Sequence, residues 1–257
     1  MSKGRKVPPT PGRAAPMSPV TQRMQAADPR NNECIAVAQQ AERQSVITLL
    51  AEERGPTQTR QVAQQAAWFA TQLVEQLVDR QEIACRAGCA WCCSLFVSAT
   101  APEIIQIADY LRATRPADDL AALHERLVER ELLLAGTTAE QRSAARLPCV
   151  LLVNQQCSVY PVRPLACGSW TSTNAQRCEE SWRRHWAETI TANQMQLWLY
   201  GGVMLGLREG LDAHGLASEQ LDLTTALRIA LDLPDAAERW LAGEPIFADA
   251  RVALRAS

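Results

Sequence analysis

The placement of the cysteines constrains the fold of this chain more than any other feature of its sequence. The 257 residues contain nine cysteines and three histidines, and an odd number of cysteines excludes complete pairing in disulfides. Seven of the nine fall in two groups: Cys85, Cys89, Cys92 and Cys93, then Cys149, Cys157 and Cys167. Thiolates are soft ligands that bind zinc, copper(I) or iron–sulfur clusters. The sequence therefore predicts a cysteine-ligated metal centre that joins the two groups.

Two other roles for the clustered cysteines compete with metal binding. A free cysteine often packs as a small hydrophobic residue, but four thiols within nine residues, two of them adjacent, fit that role poorly. A thiol-redox role is the second alternative, because such a cluster oxidises readily without a metal. Zinc and a cubane iron–sulfur cluster each take four thiolates. Seven candidates therefore imply two metals, or one metal and several cysteines with packing or redox roles.

The spacing within each group predicts its local structure. On a helix, the four thiols of the first group would share one face, within an arc of about 100°. Gly88 opposes a helix there, so a turn that leads into a helix is the alternative. In the second group, Cys149 and Cys157 begin two candidate strands around a polar turn, and Cys167 follows at or near a short helix.

Most of the remaining chain predicts α-helix, because Ala, Gln, Leu, Glu and Arg dominate it. Thr100, followed by Pro102 and Glu103, is a typical helix start. Gly55-Pro56 separates the first two predicted helices, and Gly201-Gly202 predicts a helix break or a close contact. The predicted helices are 32–53, 58–83, one from Thr100, 117–134, 175–208, 218–232 and 234–242. We expect a mostly α-helical domain with one small β-hairpin.

Residues 1–30 differ in composition from the rest of the chain. Residues 1–30 carry six basic residues against one acidic residue, and six of the 14 prolines, which predicts a disordered basic tail before a single helical domain over 31–257. The net charge of −2 gives no overall footprint for nucleic acid or membranes. The most apolar run, 197–207, is far shorter than the ~20 residues of a membrane-spanning helix. Without an export signal we expect a cytoplasmic protein, where thiols stay reduced.

The spacing of the seven clustered cysteines and the residues beside them resemble the pattern of a bacterial family of zinc- or iron-chelating domains, the CxxCxxCC family. The resemblance covers about 85–170 and departs from the family pattern at two points. Three residues separate Cys85 from Cys89, and Gly168 stands where members often carry arginine. The residues of this chain that match the family's pattern are Cys85, Cys89, Cys92-Cys93, Pro148-Cys149, Cys157-Ser158-Val159-Tyr160 and Arg163-Pro164-Leu165-Ala166-Cys167.

The resemblance implies metal binding, as a [4Fe–4S] cluster or zinc, with the biochemical role otherwise undefined. Some larger relatives are flagellin lysine N-methylases thought to depend on an iron–sulfur cluster, so a cluster-dependent protein lysine methylase is one alternative. A structural zinc domain that binds a protein partner is the other. No glycine-rich phosphate loop or nucleophile elbow is present, and no catalytic residue can be assigned.

Arg163 and Cys178 have two possible roles each. Arg163 is either a counter-charge that donates hydrogen bonds to metal-bound sulfur or an ordinary surface arginine. Cys34 and Cys178 lie outside the pattern. Cys178 shares a predicted helical arc with Trp182 and His185, and we expect a core cysteine and a surface histidine rather than a ligand pair.

Overall fold

The computed structural model describes residues 29–80, 83–186, 190 and 192–252, and most of these residues are helical. The predicted tail falls outside the described residues except for its last two, which begin α1. None of the described helices has the length and apolar composition needed to span a membrane. The described α-helices are α1 (Pro29–Glu52), α2 (Pro56–Leu77), α3 (Ala101–Thr114), α4 (Ala117–Leu133), α5 (Ala139–Ala144), α6 (Leu165–Ser169), α7 (Ala175–Arg183), α8 (Gln194–Ala213), α9 (Leu223–Asp232) and α10 (Ala236–Leu241).

Two small antiparallel sheets accompany the helices, where the sequence predicted one hairpin. β1 (Ser98–Ala99) pairs with β4 (Leu221–Asp222), and β2 (Leu152–Val153) pairs with β3 (Gln156–Cys157). The β1–β4 sheet was not predicted, because strands of two residues show no alternating pattern. Since β4 occupies part of 218–232, the helix predicted there begins only at Leu223.

The predicted hairpin is confirmed, with shorter strands than expected. Asn154 and Gln155 connect β2 to β3 and have φ angles of 49° and 59°. Two successive residues with positive φ are typical of a two-residue hairpin turn, whose twist matches that of the strands. The hairpin places Cys157 opposite Leu152.

The centre of the fold is the close packing of α1 against α8. A Cβ atom on Gly206 would lie 2.2 Å from the carbonyl oxygen of Gln39, and one on Gly202 would lie 2.6 Å from that of Ile35. Only glycine allows the two backbones to approach so closely. Gly202 therefore makes the close contact that the sequence predicted as one possibility, and α8 continues through it without a break. α8 also packs against α2 and α6, and α9 packs against α3 and α4.

The start of α3 confirms its predicted cap and connects the helical core to the cysteine region. The Thr100 backbone N–H donates to Oε2 of Glu103 over 2.7 Å. Oε1 of the same buried carboxylate accepts the backbone N–H of Leu165 over 2.8 Å. Glu103 thereby fixes the first residue of α6, the short helix that carries Cys167.

The long helix predicted over 175–208 is wrong, because the described residues between α7 and α8 are not helical. His185 and Trp186 have φ angles of 54° and 62°, which end α7. The side chain of Asn193 then accepts the Gln196 N–H over 2.9 Å and caps α8. Residues 184–193 contain no Gly or Pro, so composition alone does not reveal the break. The helix predicted over 58–83 also ends early, at Leu77.

Candidate metal centre

The first cysteine group lies on a turn followed by a single turn of 3-10 helix. The Cys89 N–H donates to the Arg86 carbonyl over 2.9 Å, and Gly88 has a φ of 85°. The 3-10 helix, Trp91–Ser94, then carries Cys92 and Cys93. The helical interpretation of 85–93 is therefore wrong, and the alternative of a turn that leads into a helix is confirmed. Gly88 decides between them, since its left-handed conformation interrupts a helix.

The two cysteine groups meet through the main chain. The Cys149 N–H donates to the Cys93 carbonyl over 2.7 Å, so the second group begins directly against the end of the first. Arg130 of α4 holds the preceding residue, because its Nη1 donates to the Pro148 carbonyl over 2.7 Å. The hairpin then reverses the direction of the chain, and the Ser158 N–H donates to the Leu151 carbonyl over 2.9 Å.

The thiols of the second group lie within electrostatic reach of one another and of Cys92. Burial raises the pKa of Cys167, and the neighbouring thiolates of Cys149, Cys157 and Cys92 raise it further. Burial also raises the pKa of Cys149 and of Cys157. A hydrogen bond with the Cys93 side chain is the largest cause of the raised pKa of Cys92. Without a counter-ion these thiols therefore stay protonated.

Two arginines supply positive charge to this group. The Arg163 guanidinium stacks 4.3 Å from the centroid of the Tyr160 ring, and its charge lowers the pKa of Cys92, Cys157 and Cys167. Arg163 is thus placed beside the thiols, as a counter-charge requires. Arg130 lowers the pKa of Cys149 in the same way. No sequence motif pointed to Arg130, because it comes from a distant helix.

Cys178 lies beside the first group, although the sequence placed it outside the cysteine pattern. It is buried, as predicted, and burial raises its pKa while a hydrogen bond with the Ser172 side chain lowers it. The thiolates of Cys89 and Cys92 raise the pKa of Cys178 as well. Cys178 stands apart from the cysteine motif in sequence, so only the tertiary structure reveals this position.

His185 and Cys34 lie away from the two cysteine groups. α7 ends at Arg183, so the predicted helical arc from Cys178 to His185 does not form. His185 is exposed, as expected, and its Nδ1 lies 2.9 Å from the Ala144 carbonyl oxygen. Cys34 is half-buried on α1 and packs against the apolar core.

Aromatic contacts hold α7 against the 3-10 helix of the first group. The ring centroids of Trp91 and Trp182 lie 5.1 Å apart. The Arg146 guanidinium lies 4.8 Å from the centroid of the Trp182 ring. Cys178 precedes Trp182 by one helical turn and therefore lies on the same face of α7.

The donor chemistry of the site fits a soft metal, although the sulfur atoms are not at ligand distances. Among the residues that the structure describes, no three His, Cys, Asp or Glu side chains stand close enough to hold a metal ion. Binding would therefore require the thiols to move together by side-chain rotation. Eight thiols are available for it: Cys85, Cys89, Cys92, Cys93, Cys149, Cys157, Cys167 and Cys178.

A cavity elsewhere in the fold is small. It has a volume of about 100 Å³ and lies between α2, α3 and α10, with Arg60, Asp109 and Ala237 in its lining. Pockets for organic cofactors are commonly ~300 Å³ or more. This cavity is therefore smaller than the pockets that usually hold organic cofactors.

A comparison with protein families supports the resemblance that the cysteine spacing indicated. Residues 84–189 match the model of the CxxCxxCC family, described as "Putative zinc- or iron-chelating domain". Neither the curated proteins nor the solved structures include a significant match to the chain, and the similarity to flagellin methylases is not confirmed. The matched range includes all eight thiols and extends beyond the predicted 85–170. Less than half of the chain, residues 84–189, is therefore similar to the CxxCxxCC family of zinc- or iron-chelating domains.

Proposed function

We propose that this domain binds metal through cysteine thiolates, as a [4Fe–4S] cluster or as zinc. The proposed ligands come from the seven clustered cysteines, and Arg163 is the counter-charge. The observation that carries the proposal is the meeting of the two groups, where the Cys149 N–H donates to the Cys93 carbonyl over 2.7 Å. Two distant segments that each bring several thiols to one place are typical of a thiolate metal site.

The charges around the thiols support this assignment. A metal ion with four thiolates would carry a net negative charge, which the charges of Arg163 and Arg130 would offset. The raised pKa values mean that protons occupy the sulfurs before the metal does. Metal binding then displaces those protons to solvent, so the apparent affinity increases with pH. A bound metal would supply the positive charge that favours the ionised form of the buried sulfurs.

A structural role for the metal follows from the weak local structure around the thiols. The cysteines lie on a turn, a 3-10 helix of four residues, strands of two residues and a helix of five residues. Isolated elements of this size are marginal in water. Bonds from one metal to several of them order the whole region. Because free thiols require a reducing compartment until the metal binds, the cytoplasm suits this function.

Metal and acid-labile sulfide analysis after anaerobic purification tests the proposal. Brown protein with a broad absorption band near ~400 nm, iron and sulfide indicates a [4Fe–4S] cluster. Colourless protein with stoichiometric zinc indicates a zinc site. We expect Cys167→Ser to lower the metal content, and Cys34→Ser, the matched control, to leave it unchanged. Absence of bound metal from the wild-type chain contradicts the proposal.

A further inference from the structure

Ser172 contacts two thiols, those of Cys85 and Cys178. The Ser172 backbone N–H donates to Sγ of Cys85 over 3.3 Å. The Ser172 side chain forms a hydrogen bond with the thiol of Cys178. The Ala84 N–H also donates to the Ser172 carbonyl over 2.8 Å, which fixes the two segments against each other. Donors aimed at cysteine sulfur are a common feature around bound metals.

The rest of this neighbourhood belongs to the first group. Cys178 and Trp182 share one face of α7, and Trp182 packs on Trp91 at a centroid distance of 5.1 Å. The 3-10 helix that starts at Trp91 carries Cys92, so α7 faces the first group. The thiolates of Cys89, Cys92 and Cys178 all act electrostatically on Cys85. Cys178 therefore lies with the thiols of the first group, on the side where Ser172 contacts Cys85.

The second group has different surroundings. Its main-chain partner in the first group is Cys93, whose carbonyl accepts the Cys149 N–H. Its charges come from Arg163 and Arg130. The Cys92 and Cys93 thiols meet in a side-chain hydrogen bond at the junction of the two groups. Because Cα–Cβ bonds of successive residues in a 3-10 helix leave the axis about 120° apart, rotation of these side chains can turn the two thiols to different sites.

We infer that the eight thiols form two four-cysteine metal centres rather than one centre with surplus cysteines. This inference rests on the proposed function and extends it with a ligand, Cys178, that the sequence did not predict. Each centre has the four thiolates that zinc or a [4Fe–4S] cluster requires. The first centre consists of Cys85, Cys89, Cys92 and Cys178, and the second consists of Cys93, Cys149, Cys157 and Cys167.

Counting the centres in cysteine variants tests the division. The full chain and its variants are purified anaerobically, and bound zinc or four-iron clusters are counted per chain. We expect about two centres in the wild-type chain and in Cys34→Ser, and about one in Cys178→Ser, in Cys89→Ser and in their double variant. Cys167→Ser should also retain about one centre, and Cys167→Ser combined with Cys178→Ser should retain none.

The outcomes separate this inference from the proposed function. A wild-type chain without metal contradicts both. A wild-type chain with one centre, or a Cys178→Ser variant with the wild-type count, contradicts only the division into two centres. Loss of both centres in Cys178→Ser also contradicts it, because independent centres are lost one at a time. The serine variants are compared by circular dichroism, so that a lost centre is not confused with a lost fold.

Discussion

The helical core and the cysteine region are held together by different forces. In the core, α1, α2, α3, α8 and α9 bury long apolar faces, and residues such as Leu207, Leu211 and Leu227 are completely buried. Burial of apolar surface is the dominant stabilising contribution there. The cysteine region consists of short elements connected by main-chain hydrogen bonds, and it reaches the apolar core only through a few residues such as Leu151, Val159 and Leu165. Seven of its eight thiols are only partly buried. From this comparison we expect the core to fold by itself and the cysteine region to need the proposed metal.

The largest expected effect concerns Glu42, an ionisable residue within the core. It is completely buried, neither carboxylate oxygen has a hydrogen-bond partner among the described residues, and burial raises its pKa to about 8. The folded state holds this proton more tightly than the unfolded chain, so stability falls as the pH rises from about 4.5 to about 8. We expect a loss of roughly 4 kcal/mol in the free energy of unfolding over this range.

Denaturant unfolding at several pH values measures the contribution of Glu42. The Glu42→Gln variant should lose this part of the pH dependence, and the exposed control Glu125→Gln should retain it. Equal pH dependence in wild-type protein and Glu42→Gln would show that another group causes it.

A second prediction tests the α1–α8 contact. Replacing Gly206 with alanine places a Cβ atom 2.2 Å from the Gln39 carbonyl oxygen, so the helices must separate. We expect a loss of about 3 kcal/mol in the free energy of unfolding, with no change in metal content per folded chain. Ala213→Val, at an exposed position of the same helix, should cost well under ~1 kcal/mol. Loss of metal in the Gly206 variant would contradict the separation of the two regions.

A third prediction concerns Glu103, which links the regions. Glu103→Gln leaves one backbone N–H, of Thr100 or of Leu165, facing an amide that cannot accept from both. We expect a loss of about 2 kcal/mol in stability and weaker metal binding, because α6 carries Cys167. Unfolding and metal titration are measured on the same samples. Unchanged metal affinity would show that the α6 start is not held through this carboxylate.

The smallest expected effect is that of Arg163→Gln. Loss of the guanidinium removes the charge that favours the thiolates of Cys92, Cys157 and Cys167, so metal affinity should fall about 10-fold. Arg163→Lys should recover part of the loss, and the exposed Arg126→Gln should have no effect. Chelator competition measures the affinity. Equal affinities of Arg163→Gln and wild-type protein would assign Arg163 to the surface role.

Features with a local signal could be predicted from the sequence, and features set by tertiary contacts could not. The cap at Thr100, the Gly55-Pro56 break and the hairpin around Asn154 each follow from nearby residues. The position of Cys178 depends on the docking of α7 through Trp182, and that of Arg130 on the path of α4. Neither arrangement leaves a pattern in the sequence. The end of α7 was missed for a similar reason, since two non-glycine residues adopt positive φ there.

Hydrogen exchange of the metal-loaded protein before and after removal of the metal by a chelator tests the central claim most directly. We expect amides of 83–94 and 149–169 to lose their protection when the metal is removed. Amides of α1 and α8 should retain theirs, because apolar burial holds them. Equal protection of the cysteine region with and without metal, or loss of protection throughout the core, would contradict the account.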